Sequence, residues 1–459
     1  MERKWIVPFA ILMLVSVLGV FTPAAPANPD AKPIAPADVA WMLTATGFVF
    51  LMTPGLSFFY GGMVSRRNII STVLQSFIAL GVISILWVVC GFGLAFGESI
   101  GAEKFGLIGN PLTFWMFNSV GASTHEALSP TIPLVLFALF QLKFAILTPA
   151  LITGSFAERV RFSSYLLFIC LFSVFIYAPL AHWTWHPNGF LRNWGVLDFA
   201  GGTVVHMSAG FAALAGVLFL GPRKSYREGQ THAPANIPLV VLGTGMLWFG
   251  WFGFNAGSAL AANETATLAF LTTNTASAAA MLSWMFFDGV RGRKPSALGA
   301  CVGAVVGLVA ITPAAGYVSV GASMFIGAIA SVISNLAVHW KNQSTLDDTL
   351  DVFPCHGVGG IVGMIATGIF ANEVGLVFGK TETFFYHLLA IVIVGIYTFG
   401  GSYLLYKITD MIIPMRVREE QERIGLDLSQ HGESVDEQVA VAASDEPHES
   451  TSSRLASVN

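Results

Sequence analysis

Charge is the scarcest property of this chain. Asp, Glu, Lys and Arg make up 11% of its 459 residues, against 54% hydrophobic residues, and the formal net charge is only -4. Soluble domains carry about 25% charged residues, so a soluble enzyme is excluded. The absence of a basic domain removes nucleic acid as a partner. Cysteine is nearly as sparse: Cys90, Cys170, Cys301 and Cys355 all fall in apolar segments, with no CxxC pair. They read as small packing residues, which excludes a disulfide framework and a cysteine-built metal site. No loop holds a nucleophile–base pair, a cluster of metal ligands or a phosphate-binding motif, so neither an enzyme nor a cofactor is expected.

What the chain has instead is apolar length. Stretches near the roughly 20 residues needed to cross a hydrocarbon core recur at 41–62, 70–96, 131–156, 163–184, 199–220, 236–257, 265–288, 297–313, 318–340, 355–373 and 384–408. They predict an all-α polytopic membrane protein with eleven transmembrane helices, and the 47 glycines suit helices that pack closely. At the start, Arg3 and Lys4 precede an apolar run from Ile6 to Phe21 and then small residues at Ala25 and Ala27. This is the layout of a signal peptide over 1–27, the other reading being an uncut first helix. Cutting leaves the mature N-terminus outside. The loops then assigned to the cytoplasm, with the C-terminal segment, hold fifteen Lys and Arg residues against three (Lys104, Arg192 and Lys380) in the opposite loops. That bias fits a multi-pass protein of the cell (inner) membrane with its C-terminus in the cytoplasm. A transmembrane domain over 28–408 is thus followed by a cytoplasmic tail over 409–459, disordered from about 433, where Ser, Glu and Asp dominate.

Five helices followed by five more start on opposite sides, so the two sets predict an inverted repeat plus a final helix. The fifth span has Asp198 eight residues before His206 and Gly210 four after; the tenth has Asp348 eight before His356 and Gly360 four after. At helical spacing His206 shares its face with Gly202, Thr203, Ala209, Gly210 and Ala213, and His356 with Gly359, Gly360 and Gly363. Small faces let helices approach, so the two imidazoles can hydrogen-bond to each other and escape the cost of burial. The alternative is that each binds a backbone carbonyl and merely ties helices together. An ionisable residue inside a membrane is a functional candidate by default, and a repeat-related pair strengthens that reading.

The segments "DFAGGTVVHMSAG", "WFGFNAGSA", "FQLKFAILTPALITGSFAERVRF", "FYGGMVSRRN" and "DVFPCHGVGGIVGMIATGIFA" together resemble the ammonium transporter family, in the Amt branch of the Amt/Mep/Rh superfamily, from about Asp38 to Gly432. The resemblance implies a homotrimer with one pore per subunit. It makes His206 and His356 the twin histidines of the pore, and Trp185, Phe140 and Ser258 the outer recruitment site for ammonium. It also makes Phe144 and Phe254 the stacked gate below that site, and Asp198 the acidic residue just outside it. From the residues alone, Asp198 is first an N-cap of the fifth span and second a proton-handling group. Trp185, beside Trp183 near a span end, also fits an interfacial anchor.

These parts suit a cation that has N–H donors and can lose a proton. Indole and phenyl faces attract it by about 0.5–2 kcal/mol, the Ser258 hydroxyl accepts one N–H, and the apolar pore beyond refuses any permanent charge. Potassium has no proton to give up, so the expected function is ammonium transport: deprotonation, conduction of ammonia, and separate transfer of the proton. The alternative is an ammonium sensor with the same fold and little flux, which a fused signalling domain would favour. Ser258 and its "FNAGS" context disfavour a gas channel of the Rh branch. Lys143, inside the third span beside Phe144, is expected to point away from the pore, since facing it would repel the substrate. The segment "RVREEQERIGLDLSQHGE" resembles the family's C-terminal region, which implies docking on neighbouring subunits and coupling to a nitrogen-signalling protein of the PII class.

Overall fold

Helices account for nearly all of the regular structure in a computed structural model that describes residues 5–23, 25–26, 28, 31–230 and 233–435. An exposed helix α1 (Ile6–Val20) buries none of its residues. Among the described residues, nine helices are long and apolar enough to cross a membrane: α2 (Pro36–Met63), α3 (Arg66–Phe96), α4 (Leu134–Phe156), α5 (Phe162–Trp185), α6 (Gly202–Leu220), α7 (Ile237–Gly257), α10 (Val320–Asn342), α11 (Phe353–Phe370) and α12 (Glu382–Ile412). Two further helices, α8 (Glu264–Val290) and α9 (Ala297–Ile311), coincide with the seventh and eighth apolar stretches of the sequence.

These two fall short of the others for identifiable reasons. Along α8 the hydropathy is lowered by Thr, Ser and Asn residues that work as interhelical hydrogen-bonding groups. The Thr272 hydroxyl donates to Ala315 O at 2.7 Å, Ser277 to Ala304 O at 3.1 Å, and the Asn255 amide donates to the Thr273 hydroxyl at 2.8 Å. Helix α9 has 15 residues, about 22 Å of rise, and is buried along almost its whole length. It stops where Pro313, which has no N–H, cuts the backbone ladder.

Between α3 and α4 the chain forms two short antiparallel hairpins, β1 (Ser99–Ala102) with β2 (Phe105–Gly109) and β3 (Thr124–His125) with β4 (Ser129–Pro133). A purely helical reading of the sequence misses them. They mark one end of the bundle, the hairpin side. Where helices cross, glycines make close approach feasible. A Cβ at Gly243 of α7 would lie 2.3 Å from the Phe59 amide of α2, and one at Gly210 of α6 would lie 2.2 Å from the Gly357 amide of α11. The second crossing brings the two histidine helices together.

At the opposite end, the tail side, buried charges are paired. Arg223 donates to Asp347 through Nε and a guanidinium NH2, both at 2.8 Å, and to Glu158 at 2.8 Å. This joins the loop after α6 to the loop before α11. Beyond α12 the chain turns back over these helix ends and forms α13 (Glu419–Ile424). Arg416 donates to the carbonyls of Leu220 and Pro222 at the end of α6, at 2.7 and 2.9 Å. Asp427 accepts from the Ile70 and Ser71 amides at 3.0 and 2.7 Å and so caps the start of α3. The segment thereby docks on its own chain. Arg3, Lys4, Ala27 and the tail from 436 onward lie outside the described residues.

Candidate functional site

Both histidines sit in π-helical turns, Gly202–Met207 and Phe353–Val358, at the beginnings of α6 and α11. Such turns admit one extra residue and are frequent at functional positions. Each is started by an aspartate. The carboxylate of Asp198 accepts from the amides of Gly201 and Gly202 (2.8 and 2.6 Å) and from the amide and hydroxyl of Thr203 (2.7 and 2.5 Å). Asp348 accepts from the amides of Val352 and Phe353 at 3.1 and 2.8 Å. The N-cap positions themselves are Gly201 and Val352; each aspartate, three or four residues upstream, satisfies the free amides of the helix start from the preceding loop.

From the hairpin side a cavity of about 420 Å³ leads inward, lined by Trp185, Asp198, Ser258, Phe144, Gln141 and Tyr317 among others. The Trp185 indole N–H donates to Asp198 O at 3.1 Å, which holds its ring at the cavity wall with its centroid 5.7 Å from that of Phe144. The Ser258 hydroxyl donates to Phe254 O at 2.9 Å. Its lone pairs remain available to accept from a donor in the cavity. Phe140 is fully buried and is not among the lining residues; its ring backs that of Phe144 at 5.0 Å.

Below the cavity the rings continue as a column. Phe144 and Phe254 have centroids 4.3 Å apart, Phe254 lies 6.0 Å from His206, and His206 lies 5.4 Å from His356. The two imidazoles approach through Nδ1 and Nδ1 at 3.3 Å. Trp251 stacks on His206 with centroids 5.3 Å apart. Every ring from Phe144 to His356 is buried, so the closed phenyl pair separates the cavity from the imidazoles. Lys143 is directed elsewhere, its Nζ 5.4 Å from the centroid of the Phe50 ring, which is itself 45% exposed on the side of the bundle.

Two participants were not singled out from the sequence. Trp251 lies three residues before Phe254 on one face of α7, a spacing that would have found it. Thr312, which bonds His206, carries no such signal beyond its place before a proline. Among the described residues no group of three or more His, Cys, Asp or Glu side chains could hold a metal ion.

Fold and site together define a polytopic helical membrane protein with a buried column of aromatic and imidazole rings at its centre. The Ammonium Transporter Family description matches residues 40–436, and the chain belongs to that family. A putative ammonium transporter of Methanothermobacter thermautotrophicus is 46% identical over 86% of this chain and 97% of its own length. Among solved structures, Candida albicans Mep2 is 33% identical and superposes with a TM-score of 0.80, covering 90% of this chain and 91% of that one. A structure described as a sensor Amt protein is 30% identical with a TM-score of 0.78, covering 86% and 98%.

Proposed function

We propose that this protein transports ammonium by separating the cation into ammonia and a proton at the ring column. The observation that carries the reading is the sequence of surfaces along one line: a cavity with an indole face and a lone-pair-bearing hydroxyl, then a closed phenyl pair, then two buried imidazoles within hydrogen-bonding distance of each other. In the cavity the cation is held by Trp185 and Phe144, worth about 0.5–2 kcal/mol, and by an N–H donated to Ser258. Phe140 supports Phe144 from behind. Passing Phe144 and Phe254 as an ion costs far more than those contacts return, because no polar group replaces the lost water. Ammonia has no such penalty and can hydrogen-bond along His206 and His356. Asp198 acts as a cap that fixes the column's start, with proton handling secondary to it.

Several finer features go with this reading. All eleven helices span the membrane as a five-plus-five inverted repeat with a final helix, and the protein works as a homotrimer with one pore per subunit. The hairpin side faces outward and the tail side the cytoplasm of a cell (inner) membrane. Residues 1–27 act as a signal peptide, in keeping with a helix α1 that buries nothing. The tail over 409–432 offers a surface for a PII-class signalling protein.

Currents from reconstituted protein on a solid-supported membrane test the proposal. Ammonium should evoke a current and potassium none, and replacing His206 and His356 together with alanine should abolish or de-select the response. An equal response of the intact protein to potassium would overturn it. A second reading, an ammonium sensor with little flux, is favoured by the likeness to the sensor Amt protein; high-affinity ammonium binding without current would select it.

A further inference from the structure

Thr312 lies where α9 stops, and its hydroxyl oxygen has three neighbours: Leu308 O at 2.8 Å, Trp251 Nε1 at 2.9 Å and His206 Nε2 at 3.2 Å. Two of them leave no choice. A carbonyl only accepts, so the single hydroxyl proton goes to Leu308; an indole N–H only donates, so it takes one lone pair of the oxygen. The backbone enforces the first of these bonds. As the helix tightens before Pro313, the Thr312 amide donates to Val309 O at 3.2 Å, and the Leu308 carbonyl is left to the side chain. With its proton committed, the oxygen can only accept from His206.

We infer that Thr312 sets the tautomer of the imidazole pair. His206 carries its proton on Nε2, its bare Nδ1 accepts the Nδ1–H of His356, and His356 keeps a bare Nε2. Trp251 assists by filling the other lone pair and stacking on the ring it helps to orient. The reversed tautomers need the Thr312 hydroxyl to turn toward His206, which strands a buried carbonyl. Thr312 is therefore a positioning residue that acts through His206.

The assignment gives the pair a direction. An ammonium ion on the tail side can give a proton to His356 Nε2, the Nδ1 proton of His356 then moves to His206 Nδ1, and the Nε2 proton of His206 passes to an ammonia molecule on the hairpin side. Both rings end neutral with their tautomers reversed. A proton coming from the hairpin side meets an Nε2 that is already occupied and must wait for the reversed pair. The tautomers Thr312 favours are those left behind by one inward transfer, so Thr312 opposes the reset that precedes the next. This consequence rests on the transport reading above; the tautomer assignment does not.

Solid-state NMR of the full-length, nitrogen-15-histidine-labelled protein in lipid bilayers tests it. In the wild type, His206 Nε2 and His356 Nδ1 should give pyrrole-type resonances, and His206 Nδ1 and His356 Nε2 pyridine-type resonances. Thr312→Ser should keep this pattern, and Thr312→Val should mix the two tautomers. A pyridine-type Nε2 on His206 in the wild type overturns the inference, whether or not the valine variant folds; so does a valine variant with an unchanged pattern. A wild type with the expected resonances but no ammonium current would sink the transport reading alone.

Discussion

The two histidine helices begin alike and end up in different surroundings. Each starts with an aspartate cap and a π-turn that carries the imidazole, yet Asp198 is met by four donors and faces an open cavity, whereas Asp348 is met by two amides beside a knot of charge. In that knot Lys341 pairs with Asp351 at 2.6 Å, and Arg223 binds Asp347 and Glu158. His206 is held by Trp251 and Thr312 as well as by its partner, whereas His356 bonds His206. A shared local motif thus builds the ring pair, while the environment differs by end: the hairpin side is shaped to admit a ligand, and the tail side to be rigid.

If rigidity is the business of the tail side, breaking its lattice should have the largest effect on stability. Arg223 and Asp347 are almost fully buried. Burial by itself would raise the Asp347 carboxyl, but the hydrogen bonds and charge of Arg223, with Arg159, outweigh it and hold that carboxyl below its usual range. Its contribution is therefore present at neutral pH and lost as the pH falls below the ordinary carboxylate range. Replacing Arg223 by Ala removes the guanidinium from two buried carboxylates and leaves Asp347 with only the residue-223 amide and the more distant Arg159, so thermal or denaturant unfolding in lipid should show a loss of about 3–5 kcal/mol. A loss no larger than that of an exposed arginine such as Arg418 would show that the lattice is not structural.

The caps provide the next contrast. Asp198→Ala removes the acceptor for four buried donors and should cost about 2 kcal/mol, Asp348→Ala about 1 kcal/mol. The two also differ in pH response. Burial, with Asp351 adding to it and Lys341 and the capped amides opposing, pushes Asp348 up to about 6. The folded protein then binds this proton more tightly than the unfolded chain does, so stability declines as pH rises from about 4 to about 6 and changes no further above it. Asp348→Asn should flatten that interval. An unchanged slope in the asparagine variant would mean another group titrates there.

How much of this was legible beforehand depends on how local each feature is. The spans, the aspartate–histidine–glycine spacing and the small faces are local patterns, and the helices lie close to where hydropathy put them. The π-turns are not legible, because one extra residue per turn changes hydrogen-bond register without changing composition; the face drawn for His206 at regular spacing is rotated beyond Met207. Thr312 comes from another helix more than a hundred residues away and is recruited by tertiary contact. Phe140 and Phe144, one turn apart, share a motif but not a surface. The hairpins between α3 and α4 are too short, and too broken by glycine and proline, to leave an alternating pattern.

The smallest expected effects lie in the cavity itself, where the comparison becomes a question of affinity. Ser258→Ala deletes one acceptor for a cation N–H, worth about 0.5–1.5 kcal/mol, which is roughly a 2- to 12-fold rise in the ammonium concentration for half-maximal current. Trp185→Phe keeps an aromatic face but drops the N–H that ties the ring to Asp198 O, so a rise of similar size is expected, together with a small loss of stability. Ser258→Ala should leave stability alone, because its hydroxyl only satisfies Phe254 O at the end of a helix. If half-saturation moves in neither variant while the maximal current falls, recruitment does not occur in this cavity, and the division between an admitting end and a rigid end has to be redrawn.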